Sequence, residues 1–254
     1  MNEKPLYSLD RLRPTQQEVV TGYQGGRMGI SAVPGSGKTH TLSYLAADII
    51  VSGNLDLHQE VLIVTLVNSA VSNFIQRISA LIQSEGLLPS MNYRVRTLHG
   101  LAHDIVRERP GLVNLANDFS IIDEIEANKI REQVVLAWMR GNPGFFETYL
   151  NPELSDFQLN NARSRDLPTL VQDIAYNIIR FAKDRELTPA DLRHHLENLP
   201  APLPLAEMGC AIYQEYQRSL TYRGAVDFDD LIRLALAALR ADPHLVERLH
   251  YQWP

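Results

Sequence analysis

The sequence predicts an α/β fold, a parallel sheet with crossover helices interrupted by a large helical insert. Three observations predict it. A glycine-rich loop follows an apolar run and opens a helical pattern at Lys38. Strand-like and helix-like stretches alternate as far as residue 108. Beyond that point helical periodicity takes over.

The loop is Ala32-Val33-Pro34-Gly35-Ser36-Gly37-Lys38-Thr39. The apolar run Gly29 to Val33 reads as a strand leading into it. Leu42, Leu45, Ala46, Ile49 and Ile50 then repeat at helical spacing until Gly53. Strand, loop and helix in this order are the setting of a phosphate-binding P-loop. Gly35 and Gly37 allow a sharp turn that brings successive N–H groups up to phosphate oxygens. Lys38 would place its ammonium near the β- and γ-phosphates, and Thr39 would offer its hydroxyl to Mg²⁺. The following helix points its positive end at the same anion. A Gly-Ser-Gly run alone signals only a turn, and Ala32 stands where the full pattern prefers glycine. The intact Gly37-Lys38-Thr39 triplet and its flanking periodicities favour a nucleoside triphosphate, held by Ala32 to His40.

Val61 to Val67 is a continuous apolar, β-branched run, as in a strand buried on both faces. Ala70, Phe74, Ile78, Leu81 and Ile82 mark one face of the next helix, which stops near Gly86, and Arg94 to Leu98 reads as a third short strand. Residues 1–108 are thus the first part of the α/β core, and 109–204 the helical insert. Within the insert, Ile121, Ile125, Ile130, Val134 and Trp138 are helically spaced, as are Leu170, Ile174, Ile178 and Phe181. Thr188-Pro189 reads as an N-cap with proline at the first helical position. The proline-rich stretch Leu199 to Pro204 is a linker, and 205–254 returns to the core through helices at Leu205 to Tyr222 and Asp229 to Leu239.

Composition sets limits. With 254 residues and 45% hydrophobic content, the chain has ample material for a core. The single cysteine, Cys210, excludes a disulfide framework and a cysteine-based zinc site within the chain, and fits a cytoplasmic location. Met1-Asn2-Glu3-Lys4-Pro5 lacks the layout of a signal peptide, and the longest apolar candidate, Leu231 to Leu239, is too short for a membrane span and carries Arg233. The net charge of −6 argues neither for nor against nucleic acid.

The order of the motifs narrows the field. Leu12-Arg13-Pro14-Thr15-Gln16-Gln17-Glu18 precedes the P-loop; Val64-Thr65-Leu66-Val67-Asn68-Ser69-Ala70 and Thr97-Leu98-His99-Gly100 follow it. Tyr213-Gln214-Glu215-Tyr216-Gln217 and Asp227-Phe228-Asp229-Asp230-Leu231 come late. In this order the chain resembles the N-terminal part of a UvrD/Rep-type superfamily-1 DNA helicase along essentially its whole length. The resemblance implies a RecA-like P-loop core, ATP and Mg²⁺ as cofactors, and single-stranded DNA as partner. It assigns Gln16 to the adenine edge, which suits a carboxamide able to donate and accept. Lys38 and Thr39 take the catalytic positions. Thr65, Leu66 and Asn68, with Thr97 and His99, match the DNA-contact segments. Asn68 could also cap the helix that follows it. Leu66 departs from the phenylalanine common in the family; base stacking is worth about 1–3 kcal/mol, so the grip on DNA should be weaker, and a core role for Leu66 is equally open.

Other clusters carry bland readings beside sharper ones. His99 and His103 lie four apart but lack acidic or thiolate partners at ligand spacing, and His194-His195 reads as a solvated helix face. Asp227, Asp229 and Asp230 read as a helix cap and first-turn acids rather than a Mg²⁺ site. Arg94, Arg96, Arg107, Arg109, Arg180, Lys183 and Arg185 are unassigned candidates for phosphate contacts. Ile121-Ile122-Asp123-Glu124 imitates a strand ending in acids but matches the start of the family's helical insert.

The resemblance implies that the Walker B strand, with its Asp-Glu pair, would follow Pro254, and that a second motor domain bearing arginines is also missing in cis. Phosphoryl transfer needs those charges, so the expectation is ATP and single-stranded DNA binding by this chain without competent hydrolysis or unwinding, the parent activity being ATP-driven 3′-to-5′ DNA unwinding in the cytoplasm, as in DNA repair. An unfinished sheet would leave Gly29 to Val33 weakly protected and the chain poorly soluble. The alternatives are a non-catalytic ATP- or DNA-binding module, the front of a helicase–nuclease, and a small-molecule kinase, which would leave the helicase-like segments unexplained.

Overall fold

The computed structural model describes residues 7–254, so the Met1 to Pro5 stretch read for a leader lies outside the described residues. The elements run α1 (Pro14–Thr21), α2 (Lys38–Val51), β1 (Val61–Thr65), α3 (Asn68–Ser84), β2 (Tyr93–Thr97), α4 (Leu98–Glu108) and β3 (Ser120–Ile121). They continue with α5 (Glu124–Gly141), α6 (Asp156–Asn161), α7 (Leu167–Asp184), α8 (Pro189–Glu197) and α9 (Pro204–Tyr222). The last are β4 (Ala225–Val226), α10 (Phe228–Ala241) and α11 (Pro243–Gln252). The protein is a mostly helical α/β chain with two small parallel sheets among the described residues. None of its described helices is long and apolar enough to cross a membrane.

The chain forms two compact units, one running to Asp104 and resuming at Leu239–Pro254, the other Ile105–Ala238. The sequence reading returned the chain to the core at residue 205. The packing returns it at Leu239, because α9 packs on α5, α7 and α8.

In the first unit β1 and β2 pair in parallel, from Val61↔Tyr93 to Thr65↔Thr97, with α3 as the crossover. Tyr44, Ala46, Ala47 and Ile50 of α2 meet Phe74, Ile78, Leu81 and Ile82 of α3 in one apolar cluster. Each fully buried aliphatic side chain there contributes about 1.5–3 kcal/mol. The end of the chain is tied to the start of β1: Glu60 Oε1 accepts from Gln252 Nε2 at 2.7 Å, Trp253 Nε1 at 3.0 Å and Arg94 Nε at 2.8 Å.

Four local expectations change. Gly29 to Val33 is not a strand: a strand is held by a ladder of interstrand bonds, and none of the described strands pairs with this run. The Val61 to Val67 run is strand only to Thr65 and is not buried on both faces, since Val64, Leu66 and Val67 are exposed. Asn68 caps nothing; α3 starts one residue earlier than that role requires, with Val67 as N-cap and no side-chain cap. On α2, Leu42 is exposed while Thr41 and Ser43 are buried, which costs little because their hydroxyls donate to the Gly37 and Thr39 carbonyls at 3.1 and 2.8 Å.

The second unit is a helical assembly in which α7 packs on α9 and both meet α5. Gly209 of α9 makes the close approach possible: a Cβ there would lie 2.2 Å from Ile178 Cδ1. Trp138, Phe145 and Phe146 form an edge-to-face cluster at one side of this core. Thr188 caps α8 as read, accepting from the Asp191 N–H while Asp191 reaches back to the Thr188 N–H at 2.9 Å. The short strands β3 and β4 pair in parallel, and each leads into a helix capped by aspartate, Asp123 for α5 and Asp227 for α10.

Candidate functional site

The glycine-rich loop enters α2 through two left-handed residues, Gly35 at φ 78° and Gly37 at φ 93°. A side chain at either would be strained in that conformation, so the sequence can turn here only with glycine. The turn Val33 to Ser36 is closed by the Ser36 N–H donating to the Val33 carbonyl at 3.2 Å. Lys38 is the first residue of α2, and its Nζ donates to the Ala32 carbonyl at 2.7 Å, bridging the loop's two ends. The result is a helix N-terminus that opens on the loop with its first-turn N–H groups, Lys38 and Thr39.

Gln16 comes to this loop from α1. Its Oε1 accepts from the Arg13 N–H at 3.1 Å and its Nε2 donates to the Ser36 carbonyl at 3.1 Å. The carboxamide retains one further donor hydrogen and one further lone pair. The structure therefore brings Gln16 together with Ala32 to His40. Two features here were invisible in the sequence. Ser36 Oγ is buried with no protein partner among the described residues. His40 Nδ1 lies 3.2 Å from Arg77 Nη1 of α3, a pairing across 37 residues that no local pattern signals.

The segments read as DNA contacts lie at the carboxyl ends of β1 and β2, the end where ligands gather on parallel sheets. Thr65 and Thr97 are register partners there. Leu66 is 82% exposed, so the core reading of this residue fails. Asn68 opens α3, His99 lies on the first turn of α4, and Thr97 Oγ1 accepts from the Gly100 N–H at 3.1 Å.

The basic candidates are mostly engaged. Arg94 pairs with Glu60, Arg96 Nε meets Asp104 Oδ2 at 2.7 Å, and the Arg107 guanidinium lies over the Phe119 ring. Arg109 also has a partner, Arg180 reaches Tyr176 Oη, and the Arg185 guanidinium lies 3.6 Å from the Phe181 ring centroid. Lys183 is a correction: its side chain is 1% exposed and contacts Asp227 Oδ2 at 2.5 Å and Asp230 Oδ2 at 3.2 Å. Tyr216 Oη donates to the same Asp227 oxygen at 2.8 Å, and Gln217 Nε2 donates to Asp230 at 3.0 Å. Burial pushes the Asp227 carboxyl up, but the Lys183 charge and the bonds it accepts outweigh this and hold it below the usual carboxylate range. Burial and the neighbouring Asp227 charge raise Asp229. The late motifs around Tyr216 and Asp227 are thus joined in one buried network of the helical unit.

Sequence comparison agrees with the order of these motifs. The model of the UvrD/REP helicase N-terminal domain matches residues 12–254. The chain is 28% identical over 245 residues to the ATP-dependent DNA helicase UvrD1 of Mycobacterium leprae, covering 96% of this chain and 27% of the relative. It is 29% identical over 226 residues to a probable DNA helicase II homolog of Rickettsia felis, covering 88% of this chain and 29% of that protein. To the ATP-dependent DNA helicase PcrA of Leuconostoc citreum it is 26% identical over 238 residues, covering 94% of this chain and 27% of the relative. The chain therefore spans roughly a quarter of the length of the curated relatives it matches. A match from residue 12 to 254 takes in the P-loop, both sheet-end segments and the buried network, and the chain belongs to the UvrD/REP helicase N-terminal domain family.

Proposed function

We propose that this chain is the N-terminal ATP-binding portion of an ATP-dependent 3′-to-5′ DNA helicase, with a RecA-like P-loop core. The observation that carries the reading is the loop itself: two left-handed glycines deliver Lys38 and Thr39 to the N-terminus of α2 beside the orphaned Ser36 hydroxyl. These residues fit a triphosphate. Ser36 Oγ supplies a hydrogen-bonding group in want of a partner, and the position of a Cβ on Gly35 is open space. Lys38 would exchange the Ala32 carbonyl for phosphate oxygen, Thr39 would hold Mg²⁺, and Gln16 would meet the adenine edge. Bound Mg²⁺ supplies neutralisation of phosphate charge.

Single-stranded DNA would run across the exposed sheet ends at Thr65, Leu66, Asn68, Thr97 and His99. Backbone amides and hydroxyls there suit phosphate oxygens. Turnover by these 254 residues alone should be negligible. The loop segment Ala32 to His40 carries no carboxylate to help hold the metal or align water, and transition-state arginines alone can supply about 10³–10⁵-fold.

Equilibrium binding of a fluorescent ATP analogue, with hydrolysis followed with and without single-stranded DNA, tests the reading. Saturable Mg²⁺-dependent binding, weakened about tenfold or more in Lys38→Ala, with no stimulated hydrolysis, is the expected result. Hydrolysis at the rate of an intact helicase would sink the expectation of negligible turnover, and absence of binding would sink the reading altogether.

A further inference from the structure

Two adjacent glutamines, Gln16 and Gln17, lie in the first turn of α1 and send their carboxamides to different partners. Gln16 Oε1 accepts from the Arg13 N–H and its Nε2 donates to the Ser36 carbonyl, each at 3.1 Å. A backbone N–H only donates and a carbonyl only accepts, so this carboxamide has one orientation. Turned over, it would set N–H against N–H and oxygen against oxygen. Gln17 spends its Nε2 on two carbonyls, Leu9 at 2.9 Å and Leu12 at 3.0 Å. The Leu12 carbonyl and the Arg13 N–H belong to one planar peptide, so holding the oxygen aims the N–H. Burial of the Leu12 side chain fixes where that residue sits, not how its outgoing peptide is turned. The Leu9 carbonyl also accepts from the Leu12 N–H at 2.9 Å, which closes the 3-10 turn Leu9–Arg11 against the Gln17 side chain.

We propose that Gln17 is a positioning residue of the nucleotide site: through the Leu12–Arg13 peptide it holds the Gln16 carboxamide in the orientation that selects adenine over guanine. The proposal rests on the nucleotide reading above. In the held orientation Gln16 offers a ligand one Oε1 lone pair and one Nε2 hydrogen. An adenine edge is the complement, an N6 amino donor beside the N7 acceptor, whereas guanine presents two acceptors, O6 and N7. Guanine therefore sets O6 against Oε1, and the carboxamide can meet it only by turning over. Turning over forfeits the Arg13 and Ser36 bonds together. With the Leu12–Arg13 peptide free to rotate, one of those two restraints goes and guanine is better tolerated.

The test is equilibrium binding of ribose-labelled fluorescent ATP and GTP analogues, with inorganic tripolyphosphate as a competitor that reports the loop without a base. The native protein should prefer the ATP analogue by about tenfold or more. Gln17→Met removes both donors at similar volume and should cut that preference by about threefold or more, with tripolyphosphate affinity unchanged. Gln17→Lys keeps donors on a long stem and should restore it. Arg13→Pro tests the intermediate step. Arg13 has φ −67° and Leu12 before it is extended, so proline fits the backbone and deletes the N–H that Gln16 uses. It should lower the preference as Gln17→Met does, and by more than Arg13→Ala, which keeps that N–H. A preference unmoved in Gln17→Met or in Arg13→Pro overturns the proposal, even if both analogues bind more weakly. Should Gln17→Met fail to fold, Arg13→Pro decides alone. A native protein that binds no nucleotide overturns the functional reading and the proposal together. One that binds both analogues alike overturns the adenine role of Gln16 and the proposal with it, whereas a native preference with indifferent variants overturns the proposal alone.

Discussion

Lys38 and Lys183 each begin from the same flexible ammonium, yet the two compact units use it in opposite ways. Lys38 ends on a carbonyl of its own exposed loop, a partner that the proposed nucleotide would replace with a phosphate oxygen. Lys183 is sealed between α7 and the start of α10, shared by Asp227 and Asp230, with Tyr216 on the same oxygen. The α/β unit leaves its polar chemistry at loop and sheet ends, where a ligand can compete for it. The helical unit consumes its polar chemistry in holding helices together. Charge alone therefore does not mark a site; replaceable partners do.

The largest expected effect lies in the helical unit. Lys183→Met strands Asp227 as a buried carboxylate without its cation, leaves Asp230 to Arg233 and Gln217, and should cost about 3–5 kcal/mol of that unit's stability, read by urea unfolding. Adding Asp227→Asn should recover part of the loss. An effect below about 0.5 kcal/mol, the size of an ordinary surface substitution, would break the comparison. Lys38→Ala should do the reverse. Unfolding should stay within about 0.5 kcal/mol of the parent, while nucleotide binding loses the about 1.5–3 kcal/mol of a charged hydrogen bond.

A smaller effect sharpens the comparison on the DNA side. Leu66 is solvent-exposed at the end of β1, so Leu66→Phe needs no repacking of the core. It should strengthen single-stranded DNA binding by about 1 kcal/mol, the low end of base stacking, in fluorescence anisotropy titrations. No gain would mean that bases do not pass over this position.

The sequence showed the two units unequally, for physical reasons. The turn at Gly35 and Gly37 that opens α2 at Lys38 was legible because it is a local object, built from neighbours in sequence. Helices α3 and α9 were legible from their period and α8 from its Thr188 cap, α9 with its start within a residue of Pro204. Gly29 to Val33 was misread because strand character depends on a neighbour that sequence pattern does not supply. Lys183 was misread because its partners lie 44 and 47 residues away, and nothing in Arg180 to Arg185 separates a buried cation from a solvated one. His40 with Arg77 escaped for the same reason: each residue looks ordinary alone, and only the packing of α2 on α3 joins them.

Acid should separate the two units, by the smallest effect expected here. The folded His40 pKa is depressed by burial and by Arg77, so the unfolded chain binds that proton first. The α/β unit must then lose stability as pH falls below the unfolded histidine value of about 6.5. Asp227 is also depressed, but from the carboxylate range. Its contribution is whole above about pH 3.9 and is lost only as pH falls further toward its folded value. Asp229, exposed but raised by partial desolvation and the Asp227 charge, has the opposite sign and is slightly relieved as pH falls through its folded value above about 3.9. Between about pH 7 and pH 5, then, amide protection should decline in α2 and α3 while α7 and α9 hold steady or gain slightly. His40→Gln should flatten the first response and leave the second untouched. Protection lost in parallel by both units, or lost first from α7 and α9, would show that the buried Lys183 network and not the His40–Arg77 contact governs the response to acid.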